Sequence, residues 1–194
     1  MTDLQHAVSF FQNAYTIILA LALTEGLKQF VADGGERNIF WNKLPSLVGF
    51  LFLIFPFFHG MSRYLYSSYL APGLTVGSFA GHLMFDGIMF MLMSACFFIM
   101  SRSLSPDRWK RYYGALACVL VVDSAWVLVV LSRGAQVSVW LELDIVVAYV
   151  MLVMFLTHEK HEETIWPPLA AMATIIFTTI VSYFLMQDFY FLQH

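Results

Sequence analysis

Long apolar runs separated by short polar connections dominate this chain. Six runs are long enough to cross a bilayer, since a hydrocarbon core of about 30 Å needs about 20 helical residues. Stretches such as GFLFLIFPFF and VVAYVMLVMFL are apolar on every face, unlike the alternating strands of a membrane barrel. Backbone groups in lipid must be paired within their own segment, so each run predicts a helix. The predicted spans are about 8–29, 44–66, 78–101, 112–132, 136–157 and 166–186.

The expected fold is therefore an all-α bundle of six transmembrane helices, forming one domain over residues 1–194 without a soluble domain. Composition agrees, because 60% of the 194 residues are hydrophobic and 12% are charged. Soluble domains are about 45–50% apolar and about 25% charged. The net charge of −3 and the lack of a basic tract predict no direct nucleic-acid partner. Cys96 and Cys118 lie in apolar segments, which indicates small hydrophobic residues rather than a disulfide or metal framework.

Lysine and arginine are distributed unevenly among the short loops. Loops one, three and five hold most of them, whereas the opposite side holds Arg63 and Arg133. Such an excess marks the cytoplasmic side of a membrane protein. The pattern predicts a protein of the plasma (inner) membrane with both termini outside and loops one, three and five in the cytoplasm. The residues of the richer side are Lys28, Arg37, Lys43, Arg102, Arg108, Lys110, Arg111 and Lys160.

Four ionisable residues interrupt four different spans at a similar depth: His59, Asp86, Asp123 and Asp144. A rise of 1.5 Å per residue places them roughly 10–14 Å below the outer boundary. A charge at the centre of a spanning helix costs roughly 2.5–3.5 kcal/mol on insertion scales. We therefore expect this buried polar layer to serve either an ion pathway or, as the simpler alternative, a structural tie between helices.

A shallower tier adjoins the layer. Arg63 follows His59 by four residues and His82 precedes Asp86 by four, so each pair shares a helix face. Because helices two and three are consecutive and antiparallel, these four residues are expected to form one patch. Arg63 is the only full positive charge expected near three acids. Because three acids outnumber one arginine, we expect that a carboxylate is protonated, a histidine is charged or a cation is bound.

Pro56 and Gly60 flank the position of His59 in helix two. A proline in a helix removes the hydrogen bond to the carbonyl four residues earlier, here that of Phe52, and favours a kink. Irregular backbone at membrane depth is tolerated where it lines a cavity or is buried in protein. The sequence therefore predicts a hinge beside the polar layer.

Three functional hypotheses follow from these features. The first is an ion- or proton-conducting channel or transporter that acts as a homo-oligomer or in a membrane complex, with the three aspartates as the pathway and histidines titrating near neutral pH. The second is a membrane sensor or anchor subunit that signals to a soluble cytoplasmic partner through Arg108, Lys110 and Arg111. The same three residues suit contact with anionic membrane lipid. The third is a haem- or quinone-linked redox subunit with His59 and His82 as axial ligands.

The sequence implies no particular cofactor and gives no support for an enzyme. His82 and Asp86 are the candidate metal ligands, because their spacing places both groups on one helix face. The segment HEKHEE at 158–163 has its histidines three residues apart, whereas a metalloprotease helix needs them four apart. The chain contains no nucleophile triad and no glycine-rich phosphate loop.

Overall fold

The protein is helical throughout the part of the chain that the structure describes. A computed structural model describes residues 3–32, 37–70, 80–104, 108–133, 143, 145, 147, 148, 150–152 and 166–191. These ranges contain no strand, and five helices within them are long and apolar enough to span a membrane. The helical architecture predicted from the sequence is thus confirmed for these ranges. Most of the predicted span 136–157 lies outside them, and its described positions have helical backbone.

Two of the helices extend well beyond the spans predicted from hydropathy. Apolar runs mark only the length inside hydrocarbon, and a helix can continue through the polar interface. The helices are α1 (Asp3–Ala32), α2 (Arg37–Leu65), α3 (Ala80–Ser101), α4 (Trp109–Ser132) and α5 (Trp166–Leu185), and a one-turn α6 (Gln187–Tyr190) follows α5. A π-helical turn, Tyr66–Leu70, continues α2.

Helix α1 packs between α2 and α3, so these two consecutive helices share only a small direct contact. Glycines permit the close approach: a Cβ on Gly87 of α3 would lie 2.4 Å from the Phe11 ring of α1. On the other side, a Cβ on Gly49 of α2 would lie 3.5 Å from the Cα of Met172 in α5. Small residues at helix contacts are typical of membrane bundles. The remaining extensive contact joins α3 to α4.

Large apolar side chains are exposed on the outside of the bundle, and two charged side chains are buried within it. Phe184 is 76% exposed and Val31 71%, whereas Lys43 is 1% exposed and Asp86 0%. A soluble protein rarely presents large apolar side chains on every long helix. This distribution is consistent with a location in a membrane, where lipid covers the outer surface.

The two ends of the bundle differ in character. The end where α1 and α3 begin and α2, α4 and α5 end is called the terminal face below. Tyr15 of α1 and Ser62 of α2 form a hydrogen bond of 2.8 Å in the half of the bundle nearer this face. The opposite end is called the basic face and carries Arg102, Arg108, Lys110 and Arg111.

Candidate functional site

Asp86 lies at the centre of a buried hydrogen-bond network near the terminal face. Among the described residues, four side chains donate to its carboxylate. The hydroxyls of Tyr64 and Tyr69 both donate to Oδ2, the former at 3.2 Å. Trp126 Nε1 donates to Oδ1 at 3.0 Å, and Arg133 Nη1 reaches both oxygens at 3.1 and 3.4 Å. Both oxygens of this fully buried carboxylate therefore accept hydrogen bonds, and one of the four donors, Arg133, is a cation.

Arg133, at the end of α4, provides the charge that balances Asp86. Its side chain is 21% exposed and its guanidinium lies 5.3 Å from the centre of the Phe85 ring. The expectation that Arg63 is the only cation near the acids is wrong for Asp86. Arg133 is long enough to extend from the membrane boundary back to the carboxylate. Asp86 therefore needs neither a bound proton nor a bound cation to balance its charge.

Arg63 and His59 contact the C-terminal part of the chain instead of α3. Arg63 Nε donates to the carbonyl of Phe189 at 3.1 Å, and His59 Nδ1 lies 3.0 Å from the Tyr183 hydroxyl. The His59 ring lies 5.2 Å from the ring of Tyr190, which stacks on Tyr183 with the ring centres 4.2 Å apart. The segment 186–191 thus folds back onto the end of α2.

The patch predicted from His59, Arg63, His82 and Asp86 is consequently divided. The first two contact α5 and α6, Asp86 contacts Tyr64 of α2, the π-helical turn and α4, and His82 is exposed at the start of α3. The physical reason is that His59 and Arg63 lie on the face of α2 that packs against α5 and α6, whereas Tyr64 lies on the face toward α3. The part of the chain described by the structure holds no group of three or more His, Cys, Asp or Glu side chains suited to a metal ion.

Asp123 faces a cavity of about 120 Å³ between α2, α4 and α5. Thr178, Ser182 and Tyr190 also line it, and the hydroxyl oxygens of Ser182 and Tyr190 lie 3.3 Å apart. Within the described lining, Asp123 carries the one acidic side chain. A carboxylate residue and residues with hydroxyl groups thus line a space large enough for water.

The predicted hinge residues belong to this cavity, and Asp86 does not. Pro56 and Gly60 both line the cavity, as does Trp126, whose indole N–H donates to Asp86 on its other side. The Trp126 ring therefore forms part of the wall between Asp123 and Asp86. Asp86 and Asp123, which were expected in one polar layer, thus have separate environments: Asp86 is in a buried ion pair and Asp123 is on the wall of the cavity.

The carbonyl that Pro56 leaves without its helical donor has found another partner. Thr179 Oγ1 of α5 donates to the Phe52 carbonyl of α2 at 3.2 Å. An unpaired carbonyl in hydrocarbon costs free energy comparable to a lost hydrogen bond. The bond therefore gives the Phe52 carbonyl a donor in place of the one that Pro56 lacks, and it joins α2 to α5 beside the cavity.

Replacing Thr179 by valine should lower the free energy of unfolding by about 1 kcal/mol, because interhelical hydrogen bonds in membranes contribute about 0.6 and up to about 1.7 kcal/mol. In a Pro56→Ala background the amide of residue 56 can bond Phe52 itself, and the effect of Thr179→Val should largely vanish. Thermal unfolding in detergent measures both effects. Thr174→Val is the matched control, since Thr174 bonds Ala170 within its own helix at 2.8 Å. Equal losses in both backgrounds would contradict the assignment.

The remaining residues named in the sequence analysis differ in burial. Arg108, Lys110 and Arg111 are exposed at the start of α4, whereas Asp144 lies outside the described residues. Lys43, expected in the first loop, is buried with Nζ 3.5 Å from the Gln29 carbonyl. That carbonyl belongs to the last turn of α1, where the helix dipole favours a cation.

A functional assignment for this chain depends on the geometry of the Asp86 network and the Asp123 cavity, because comparison with known proteins finds no relative. The chain matches no family model, no curated protein and no solved structure.

Proposed function

We propose that this protein moves protons or small cations across the plasma membrane, with Asp123 as the group that binds them. The observation that carries the proposal is the position of Asp123 on the wall of a cavity between the helices, which Ser182 and Tyr190 also line. Hard cations prefer oxygen ligands, and chains of carboxylates, hydroxyls and water relay protons. The chemistry of the cavity fits both kinds of permeant.

The depth of Asp123 supports a role in transport. From the ends of α4, and at 1.5 Å per residue, it lies roughly 21 Å from Trp109 and roughly 14 Å from Ser132. A carboxylate this far from either interface costs roughly 2.5–3.5 kcal/mol unless water or a polar site surrounds it. A cavity with room for several water molecules lowers that cost and gives a cation a place to bind.

Asp86 has a different role in this proposal. Its carboxylate is held by Arg133 and by the Trp126 indole, so it fixes α3 against α4 beside the pathway. Pro56 and Gly60 allow α2 to bend next to the cavity and so alternate its access between the two sides. Trp126, which donates to Asp86, and the deformable part of α2 both line the cavity.

The orientation proposed here places the basic face in the cytoplasm and the terminal face outside. Arg102, Arg108, Lys110 and Arg111 concentrate at the basic face, as the positive-inside rule requires of a cytoplasmic side. A bundle of this size has limited room for a pathway of its own. We therefore propose that it acts as a homo-oligomer or as a subunit of a membrane complex.

Asp123→Asn should abolish flux or reduce it at least tenfold, because the amide keeps the shape of the side chain and removes its charge. The measurement is flux into proteoliposomes, followed with an enclosed pH dye for protons and with enclosed indicators for Na⁺ and K⁺. Asp3→Asn is the matched control, since Asp3 is exposed at the start of α1 and far from the cavity.

Two results would contradict the proposal. Wild-type protein that gives no more flux than empty vesicles for any of the three ions would refute transport by this chain alone. Wild-type flux that persists unchanged in Asp123→Asn would refute the assigned pathway.

A further inference from the structure

A groove of about 770 Å³ opens between α3 and α4 at the basic face, away from the Asp123 cavity. Its rim carries Arg102, Arg108, Lys110 and Arg111, and its inner part is lined by small and apolar residues. Among the described residues that line it, four are basic and none is acidic. The groove thus combines a cationic entrance with an apolar interior.

Two of the cations at the rim contact the ends of α1 and α3. Arg102 Nε lies 4.0 Å from Glu25 Oε1 of α1, and the Arg102 side chain is 63% exposed. Arg108 Nη1 lies 3.5 Å from the Arg102 carbonyl, which joins the two sides of the rim. The described lining of the groove is therefore basic.

The position of the groove along the helices matches the structure of a phospholipid. The bases lie where α3 ends and α4 begins, which is the depth of lipid phosphates at a membrane boundary. From Arg111 the groove continues along α4 past Ala115 to Cys118, a distance of roughly 10 Å at 1.5 Å per residue. That part of the groove lies within hydrocarbon and accommodates an acyl chain.

We propose that this groove binds an anionic phospholipid of the cytoplasmic leaflet. The phosphate contacts the four bases, and one acyl chain lies along the apolar interior between α3 and α4. Basic pockets between membrane helices recognise anionic headgroups through the same combination of charge and position. A soluble anion would use only the rim, and an acidic protein segment would not enter the part that lies in hydrocarbon.

Binding can be measured by native mass spectrometry of the full chain in detergent, titrated with dioleoylphosphatidylglycerol or with dioleoylphosphatidylcholine. The anionic lipid should form adducts at concentrations at least tenfold lower than the zwitterionic one. The triple variant Arg108→Gln, Lys110→Gln and Arg111→Gln should weaken phosphatidylglycerol binding by roughly 100-fold, because each base near an anionic lipid contributes about a fivefold preference. Cys118→Phe, which keeps every charge and fills the apolar part of the groove, should also weaken phosphatidylglycerol binding at least tenfold, because the acyl chain loses its place.

The chain's own cysteines report occupancy of the groove. Cys96 and Cys118 are its two cysteines, they both line the groove, and their Sγ atoms lie 3.7 Å apart. In a Cys96→Ser variant, phosphatidylglycerol should slow the reaction of Cys118 with N-ethylmaleimide, and inorganic phosphate should not. A thiol introduced by Ala125→Cys in a chain with both native cysteines replaced by serine is the control, because position 125 is exposed outside the groove.

Each of several outcomes would overturn the proposal. Equal affinity for the two lipids would exclude recognition of charge, and equal protection of Cys118 by inorganic phosphate would assign the rim to a free anion. Unchanged phosphatidylglycerol binding in Cys118→Phe would show that the acyl chain is not held, as expected of a surface for an acidic protein. These measurements require no ion flux, so the result is independent of the function proposed for Asp123.

Discussion

Replacing Arg133 by methionine is expected to lower the free energy of unfolding by about 3–5 kcal/mol, the usual cost of leaving one member of a buried ion pair alone. Asp86 is 0% exposed and would keep two tyrosine hydroxyls and the Trp126 indole as donors, but no cation within the network. The measurement is unfolding in mixed micelles, followed by the fluorescence of Trp126 and the other tryptophans.

The double variant Asp86→Asn with Arg133→Met should recover much of that loss, because the amide carries no charge that needs a cation and its oxygen still accepts from the buried donors. Arg111→Met is the matched control: Arg111 is exposed on the basic face, and its replacement should change stability by less than about 0.5 kcal/mol. If the double variant is no more stable than Arg133→Met alone, the two side chains are not coupled as described.

The buried ion pair distinguishes Asp86 from Asp123. The Asp86 carboxylate accepts hydrogen bonds from a guanidinium at 3.1 Å and from three further donors. Asp123 lines a cavity together with residues of the predicted hinge. Two acids at similar depth on adjacent helices thus have different environments, and of the two it is Asp123 that adjoins a space large enough for water.

The helical membrane architecture could be predicted from the sequence because apolar runs of spanning length admit few other structures. The effect of Pro56 could also be predicted, since the loss of a donor to Phe52 follows from covalent geometry. The partner that compensates, Thr179, could not, because its position depends on how α5 packs against α2.

The sequence alone does not predict the network around Asp86, because an arginine at the end of a span, such as Arg133, is typical of the membrane boundary. A signal was present: Trp126 and Arg133 are seven residues apart, which places them on one face of α4. Long polar side chains at the end of a span can extend back toward a buried acid. What the sequence could not supply is the order of packing, in which α1 contacts both α2 and α3 and leaves those two helices only a small direct contact.

The contacts that His59 and Arg63 make with the C-terminal segment also could not be predicted from the sequence, because they depend on how that segment packs. Residues 187–191 follow the last predicted span and resemble a polar end, yet they include the aromatic residues Phe189, Tyr190 and Phe191. The chain turns at Met186, which is buried, and returns these rings to the bundle. The run of aromatic residues was the available signal that this segment packs against the protein.

Replacing Tyr190 by alanine is expected to open the Asp123 cavity to water from the terminal face. Tyr190 is 5% exposed, lines the cavity, stacks on Tyr183 and lies 3.3 Å from the Ser182 hydroxyl. The stack contributes about 0.5–1.5 kcal/mol and the hydrogen bond a similar amount, so their loss should shift the opening equilibrium by about tenfold or more.

Access can be measured without any assumption about transport. In a chain with Cys96→Ser and Cys118→Ser, a thiol introduced by Asp123→Cys should react with a charged methanethiosulfonate about tenfold faster once Tyr190→Ala is added. Phe184→Ala is the matched control, since that ring is 76% exposed on the outer surface of α5 and should leave the rate unchanged. A rate that does not respond to Tyr190→Ala would mean that the cavity opens elsewhere. A tenfold rise would identify the Tyr190 ring as the barrier between Asp123 and the terminal face, and would make Tyr190→Ala the variant in which proton or cation flux should also increase.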